Sequence, residues 1–390
     1  MKFNKKITNS ITYIGVNDEN IDLFENQYAV PNGISYNSYL IKDEKNVIMD
    51  TVDKSMTEEW MENLEKELEG EKLDYIVISH LEPDHSGCIE EIIKKFPEIK
   101  LVGNKQTFSM LTQFYDIDSL DERKVEVTEG QTLSVGKNTL QFFMAPMVHW
   151  PEVMVTYEMN NKILFSADAF GKFGAIGTDE DWLCEARRYY FNIVGKYGIQ
   201  VQMLLKKITN LKINKICPLH GPILEDNIDE YINKYDIWSK YIPEDNGILI
   251  VCASIHGNTL EAAYKLSEIL KEIGAKKVIV SDLSRSDISE VIEDAFRYDK
   301  LVCMASSYNT KVFTPMQNLL QQLEGKNYQK RKVAIIENGS WAPSAAKTMK
   351  ETIAKMKDIE LIEPEITIKS RMNENTIEQM KNLAKNILNA

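Results

Sequence analysis

Four side chains able to bind a metal ion crowd into His80-Leu81-Glu82-Pro83-Asp84-His85, directly after the apolar run DYIVIS. Imidazole and carboxylate together suit iron, zinc or manganese. Further along come His149, Asp168 just after KILFSA, and His220 between KIC and Gly221-Pro222. Histidine is scarce in this chain, five in 390 residues, so its placement is informative. His80, Glu82, Asp84, His85, His149, Asp168 and His220 are too many ligands for one ion. They fit two ions that share a carboxylate. A single histidine near a strand end is more often structural or solvated. Asp84 alone could cap a helix near Cys88, and His149 alone could pack against Trp150. The density of the 80–85 cluster is what points to metal.

A second constellation follows the run ILIVCA. Ser254-Ile255-His256-Gly257-Asn258-Thr259 lies between a strand and the start of a helix. Free N–H groups at such a start bind phosphate. No G-x-x-x-x-G-K-[ST] and no G-x-G-x-x-G is present, so neither an NTPase loop nor a dinucleotide fingerprint is supported. A hydroxyl-rich phosphate loop without lysine suits FMN, with His256 expected to serve through its backbone. Ser306-Ser307-Tyr308-Asn309 and Asn338-Gly339-Ser340-Trp341 end two later strands. Tyr308 and Trp341 are placed to cover an isoalloxazine ring. Such polar clusters are common in loops, but three at successive strand ends carry weight together.

These groups need elements to position them. IPEDNG, within 241–247, reads as a linker, which predicts domains over 1–245 and 246–390. Beyond it, strands 248–253, 277–281, 300–305, 332–337 and 360–368 alternate with helices 259–274, 288–296, 315–323, 344–356 and 373–388. That alternation predicts a doubly wound parallel sheet of order 2-1-3-4-5 in an α/β chain. The first domain mixes short strands with helices. Segments 38–41 and 46–50 read as paired strands, 57–69 as a helix with Trp60, Leu64 and Leu68 on one face, and 73–79 as a buried strand. Pro83 disfavours helix at Glu82, so 80–87 is expected to be a loop. Helices follow at 88–96 and 200–211, with several strands between 125 and 165.

Composition removes other classes. A net charge of −13 argues against nucleic acid and against an anionic membrane surface as partners. No apolar stretch reaches the length of a membrane span, and the N-terminus lacks the apolar core of a signal peptide. None of the five cysteines forms a C-x-x-C pair, so zinc ribbons, rubredoxin-type iron sites and thioredoxin motifs are absent. Reduced thiols and a cytoplasmic location are expected.

H-x-[EH]-x-D-H with distant His, Asp and His resembles the ligand pattern of the metallo-β-lactamase fold. Zinc hydrolases of that fold usually have His where this chain has Glu82. HxExDH with His149-Trp150-Pro151, Asp168-Ala169-Phe170-Gly171 and His220 resembles the flavodiiron proteins, or A-type flavoproteins, over nearly the whole chain. The resemblance implies a metallo-β-lactamase-like αββα sandwich followed by a flavodoxin-like domain that binds FMN. It implies one iron on His80, Glu82, His149 and Asp168, and a second on Asp84, His85, Asp168 and His220. In some members the histidine matching His85 is not a ligand. The family reduces dioxygen to water, nitric oxide to nitrous oxide, or both. The resemblance further implies a head-to-tail homodimer or dimer of dimers, and an external electron donor, rubredoxin or a reduced deazaflavin. One departure is visible: NGSWAPSA stands where relatives often have the glycine-richer GSYGWSG. A zinc-dependent hydrolase with a flavodoxin-like accessory domain is the alternative. A non-catalytic flavin-binding electron carrier is a third reading.

Overall fold

Alternation of side chains sorts the strands of the first unit into two facing sheets. In one, the order is Ile11–Tyr13, Tyr39–Ile41, Val47–Met49, Tyr75–Val77, Lys100–Gly103 and Lys124–Glu126. In the other it is Thr132–Ser134, Thr139–Met144, Met154–Glu158, Ile163–Phe165 and Lys215–Cys217. Tyr39, Ile41, Val47, Met49, Val77 and Val102 meet Leu140, Phe142, Met154, Ile163, Phe165 and Cys217 in one shared core. On the outer face of the first sheet, Leu40, Ile48, Ile76 and Leu101 are also fully buried. Each such side chain contributes roughly 1.5–3 kcal/mol by leaving water. Helix Thr57–Leu68 buries Trp60, Leu64 and Leu68, and helix Ile89–Lys95 buries Ile89 and Ile92. The layers are those of an αββα sandwich.

The structure, a computed structural model, describes residues 6–178 and 181–390. It divides into two compact units, Met1–Asp236 and Ile237–Ala390, with the division inside helix Ile228–Ser239. Among the described residues no helix is long and apolar enough to cross a membrane. All five cysteines are free thiols.

In the second unit the strand order is Val278–Asp282, Asp245–Ala253, Tyr298–Tyr308, Gln329–Asn338 and Lys357–Ile368. These neighbours pair in parallel, which is the expected 2-1-3-4-5 arrangement. Ile248, Ile250 and Cys252 point to one face, where helices Asn258–Glu272 and Glu374–Asn389 add Leu266, Leu270, Met380 and Leu383. Helix Ile288–Arg297 buries Val291, Ile292 and Phe296, and helix Thr314–Gly325 buries Met316, Leu319, Leu320 and Leu323. The register sets the strand ends level. Ala253 lies opposite Ala305, Ser306 opposite Asn338, and Asn338 opposite Ile368.

Two local expectations are corrected. Segment 80–87 is not all loop, because Pro83–Ser86 forms a single helical turn. Glu82 is indeed non-helical, at ψ 136°. The proline then occupies the first helical position, where its missing N–H costs nothing. The region before 200 is also more helical than the pattern predicts. Helix Trp182–Tyr189 runs into a wide π turn at Tyr190–Val194, a tight turn at Gly195–Tyr197 and helix Gly198–Ile208.

Candidate metal centre and flavin pocket

The metal candidates converge because they leave their strands at matching points. Strand Ile163–Phe165 pairs in parallel with Lys215–Cys217, Phe165 opposite Cys217. Asp168 and His220 each come three residues later, and His80 comes three residues after Val77. Backbone pairing continues past the strands, with Leu219 N–H donating to Ala167 C=O at 2.9 Å. His149 arrives from the turn between Thr139–Met144 and Met154–Glu158. Asp84 and His85 sit on the short Pro83–Ser86 helix.

Two groups result. His80, Glu82, His149 and Asp168 form one, and Asp84, His85 and His220 form the other. Asp168 joins them. Its Oδ2 lies 3.3 Å from His80 Nε2 and 3.1 Å from His149 Nε2. Its Oδ1 lies 3.1 Å from His85 Nε2 and 3.8 Å from His220 Nε2. Glu82 Oε2 is 3.3 Å from His80 Nε2 and 3.0 Å from His149 Nε2. Asp84 Oδ2 is 3.3 Å from His85 and 3.2 Å from His220. A cation with bonds of about 2.1 Å and ligands at right angles sets its ligand atoms about 3.0 Å apart. The spacing therefore fits two ions with Asp168 between them. Both oxygens of Asp84 and of Asp168 are buried with no conventional hydrogen-bond partner among the described residues, as befits atoms reserved for cations.

Outer contacts orient the rings. His80 Nδ1 meets Glu152 Oε1 at 2.7 Å, and the same oxygen accepts the Leu81 N–H at 2.9 Å. His220 Nδ1 donates to Ser35 C=O at 2.8 Å, which leaves Nε2 for the cluster. The turn after it is held by Asn37, whose Nδ2 donates to Pro218 C=O and Gly221 C=O, both at 2.8 Å. Gly221 has φ +80°, and a Cβ there would fall 2.7 Å from Lys172 Cγ. Asp50 receives the Ser79 N–H at 2.6 Å and so fixes the chain entering the cluster.

Charge binds the groups to one another. Burial alone would lower the His80 imidazole, but Asp168, Glu152 and Glu82 outweigh it and hold it well above its ordinary range. Burial likewise opposes protonation of His149, yet Asp168 and Glu82 raise it to about 9. Burial would raise Asp168, but the facing imidazoles pull it far below the usual carboxylate range. Without metal, the cluster is a set of buried ion pairs whose protons a cation displaces.

Sequence reasoning named the ligand candidates and missed their supports. Glu152 follows the His149-Trp150-Pro151 string, and its acidity so near a candidate ligand was the available signal. Tyr189 gave none. Its ring is fully buried and lies 5.6 Å from the His220 ring. Its hydroxyl has no partner among the described residues, and the nearby charges of Asp168, Glu82 and Asp84 raise its pKa further after burial.

In the second unit the level strand ends build a cavity of about 430 Å³. Ser254, Ile255, His256, Asn258, Thr259, Ser306, Ser307, Tyr308, Asn309, Asn338, Gly339, Ser340 and Trp341 line it. Gly257 does not line it but shapes the loop, at φ +92° with its N–H on Ser254 Oγ at 3.1 Å. Ser370, from the fifth strand end, was missed and does line it. Asn338 ties the loops together. Its Nδ2 donates to Ser370 C=O at 2.8 Å and to Thr259 Oγ1 at 3.2 Å, and its Oδ1 accepts the Ser370 N–H at 3.0 Å. Thr259 Oγ1 in turn lies 3.0 Å from Ser306 Oγ. The 15-residue helix Asn258–Glu272 begins at this pocket, with Asn258 and Thr259 in its lining, and the first N–H groups of a helix have no partner within it, which suits a phosphate. Trp341 is 92% exposed and Tyr308 46% exposed, so two aromatic faces stand uncovered at the rim. Donors at one end and aromatic faces at the other fit a flavin mononucleotide.

Comparison with known proteins agrees with the fold of both units. A family model described as ODP family beta lactamase matches residues 34–221. An uncharacterized protein of Methanocaldococcus jannaschii is 35% identical over 74% of this chain and 75% of its own length. The anaerobic nitric oxide reductase flavorubredoxin of Vibrio vulnificus is 27% identical over 86% of this chain and 70% of its own. The solved rubredoxin oxygen:oxidoreductase of Desulfovibrio gigas has 25% identity and a TM-score of 0.91, covering 98% of this chain and 97% of that one. Further matching structures are flavo di-iron proteins. The chain belongs to the flavodiiron proteins.

Proposed function

We propose that this chain is an oxidoreductase in which FMN feeds electrons to two iron ions, where dioxygen is reduced to water, nitric oxide to nitrous oxide, or both. The observation that carries the reading is Asp168, with one carboxylate oxygen turned to His80 and His149 and the other to His85. His80, Glu82, His149 and Asp168 hold one iron in this reading. Asp84, His85, Asp168 and His220 hold the other. Residues 1–245 form the iron-binding domain and 246–390 the FMN-binding domain. When bound, the irons supply electrons and open positions for a diatomic ligand, and reduced FMN replenishes the electrons.

The chain's own residues shape that chemistry. Glu82 adds a hard anionic oxygen where neutral imidazole would hold a higher-charge ion less well. Glu152 holds His80 by Nδ1, so that its Nε2 faces the cluster. The unpartnered Tyr189 hydroxyl is a donor for an oxygen atom in the site. Phe24 and Phe173, both buried, pack beside Tyr189 and keep water from that wall. A hydrolase of the same sandwich has no use for the flavin pocket, and the comparisons give that alternative no support.

No C-x-x-C pair in these residues offers a rubredoxin-type iron site. The electron donor in this reading is an external rubredoxin or a reduced deazaflavin. A head-to-tail homodimer or dimer of dimers in the cytoplasm completes the proposal. The test is anaerobic: the reduced protein, with its iron and FMN measured, is given each gas in turn under an electrode. Uptake of either gas is expected with about two irons per chain. Zinc in place of iron, with no uptake, would overturn the reading.

A further inference from the structure

His220 reaches the second ion position from a bend after strand Lys215–Cys217, not from a regular element. The carbonyl groups around it turn to a single residue, Asn37, which is fully buried. Asn37 N–H donates to Leu219 C=O, and its Nδ2 donates to Pro218 C=O and to Gly221 C=O, all at 2.8 Å. An asparagine has one backbone and two side-chain N–H hydrogens to give, and here all of them go to the bend that carries His220. The ring is tied to the same stretch of chain, with Nδ1 donating to Ser35 C=O at 2.8 Å, and Gly221 N–H donates to Ser35 Oγ at 2.7 Å.

The clamp works in one orientation of the amide. Carbonyl oxygens only accept, so Nδ2 must face them and Oδ1 must point away. On that far side the Tyr13 hydroxyl donates to Asn37 Oδ1 at 3.0 Å. A flipped amide would set Oδ1 against two carbonyl oxygens and lose the Tyr13 hydrogen bond. The other imidazole of this ion position has no comparable hold, since His85 Nδ1 is buried without a hydrogen-bond partner among the described residues. The first ion position is supported separately, by Glu152 on His80.

We propose that Asn37 is a positioning residue for the second ion, aiming His220 Nε2 by clamping residues 218–221, and that Tyr13 acts through it by fixing the amide. The proposal rests on the two-iron reading of the site. Asn37 and Pro218 lie 181 positions apart, so the clamp exists only in the folded chain. Loss of the clamp weakens one ion and leaves its neighbour held.

The test uses full-length protein loaded with iron and FMN, titrated anaerobically with a chelator while the iron released per chain is counted. Asn37→Leu keeps the side chain's size and removes its donors. One ion is expected to bind about 10- to 100-fold more weakly, and the other to stay within about twofold of the natural chain. Combining Asn37→Leu with His220→Gln is expected to cost no further ion, which identifies the weakened one. Tyr13→Phe is expected to weaken the same ion by about two- to tenfold. The double variant of Tyr13 and Asn37 is expected to match Asn37→Leu within about twofold, because residues acting as one unit do not add. Equal weakening of both ions in Asn37→Leu, or of neither, would overturn the proposal. So would a Tyr13→Phe effect that persists in full in the double variant. If Asn37→Leu does not fold, Tyr13→Phe decides by the same measurement: weakening of one ion alone supports the clamp, and equal weakening or none overturns it. Failure of the two-iron reading itself would show differently, as a natural chain that does not hold two irons.

Discussion

The Nε2 atoms of His85 and His220 stand 3.0 Å apart. At that distance either the His85 Nε2 proton is donated to His220 Nε2, or both lone pairs face a shared cation. His220 already directs its Nδ1 proton to Ser35 C=O, so the shared space is suited to a cation. Asp168→Asn halves the charge available to both ions at once. Iron is expected to fall from about two per chain to below one, and gas uptake by at least about a hundredfold, while FMN stays bound. Metal analysis beside flavin absorbance checks all three, and unchanged turnover would contradict the assignment.

Glu152 acts on the ions through His80. The Glu152→Gln variant keeps a hydrogen-bond acceptor but loses the charge that favours the Nδ1 proton of His80. A loss of about 10- to 100-fold in iron affinity or turnover is expected. Chelator competition measures the first, and rescue by Glu152→Asp would separate the effect of charge from simple loss of packing.

Tyr189 offers a cleaner separation. The Tyr189→Phe variant removes one oxygen from a hydroxyl that holds no hydrogen bond among the described residues. Stability and iron content are expected to be unchanged or slightly improved. Turnover is expected to drop by about tenfold or more if the hydroxyl delivers a proton or hydrogen bond. Thermal unfolding and single-turnover kinetics with each gas make the comparison.

Asn338→Ala cuts the links from the fourth strand end to Thr259 and Ser370. Three hydrogen bonds at about 1 kcal/mol each are lost, and FMN binding is expected to weaken by about tenfold to a hundredfold as the loops lose order. Iron content is expected to stay the same. Quenching of flavin fluorescence on titration measures the affinity.

These sites differ in how far the sequence revealed them. The sheet of the second unit was readable because its strands are apolar runs alternating with amphipathic helices, and its topology follows from packing both faces. The ligand candidates were readable by type, since His, Asp and Glu gather there at strand ends. The Pro83–Ser86 turn was not, because the rule about residues preceding proline concerns Glu82 alone. Ser370 was not, because its role depends on a left-handed backbone at φ +66° beyond the last strand. Tyr189 sits in RRYYF, where no residue is distinguished by its neighbours. Only the three-dimensional path of the helix selects it.

That path turns on the wide segment Tyr190–Val194, whose Asn192 carbonyl is taken up by the Tyr28 hydroxyl at 3.1 Å. A π turn holds one more residue than an α turn, and each residue of an α-helix advances the face by about 100°. The direction of Tyr189 is therefore encoded in chain length rather than in residue identity. Deleting a single residue from this segment is expected to turn the tyrosine relative to the His220 ring while leaving every candidate ligand in the chain.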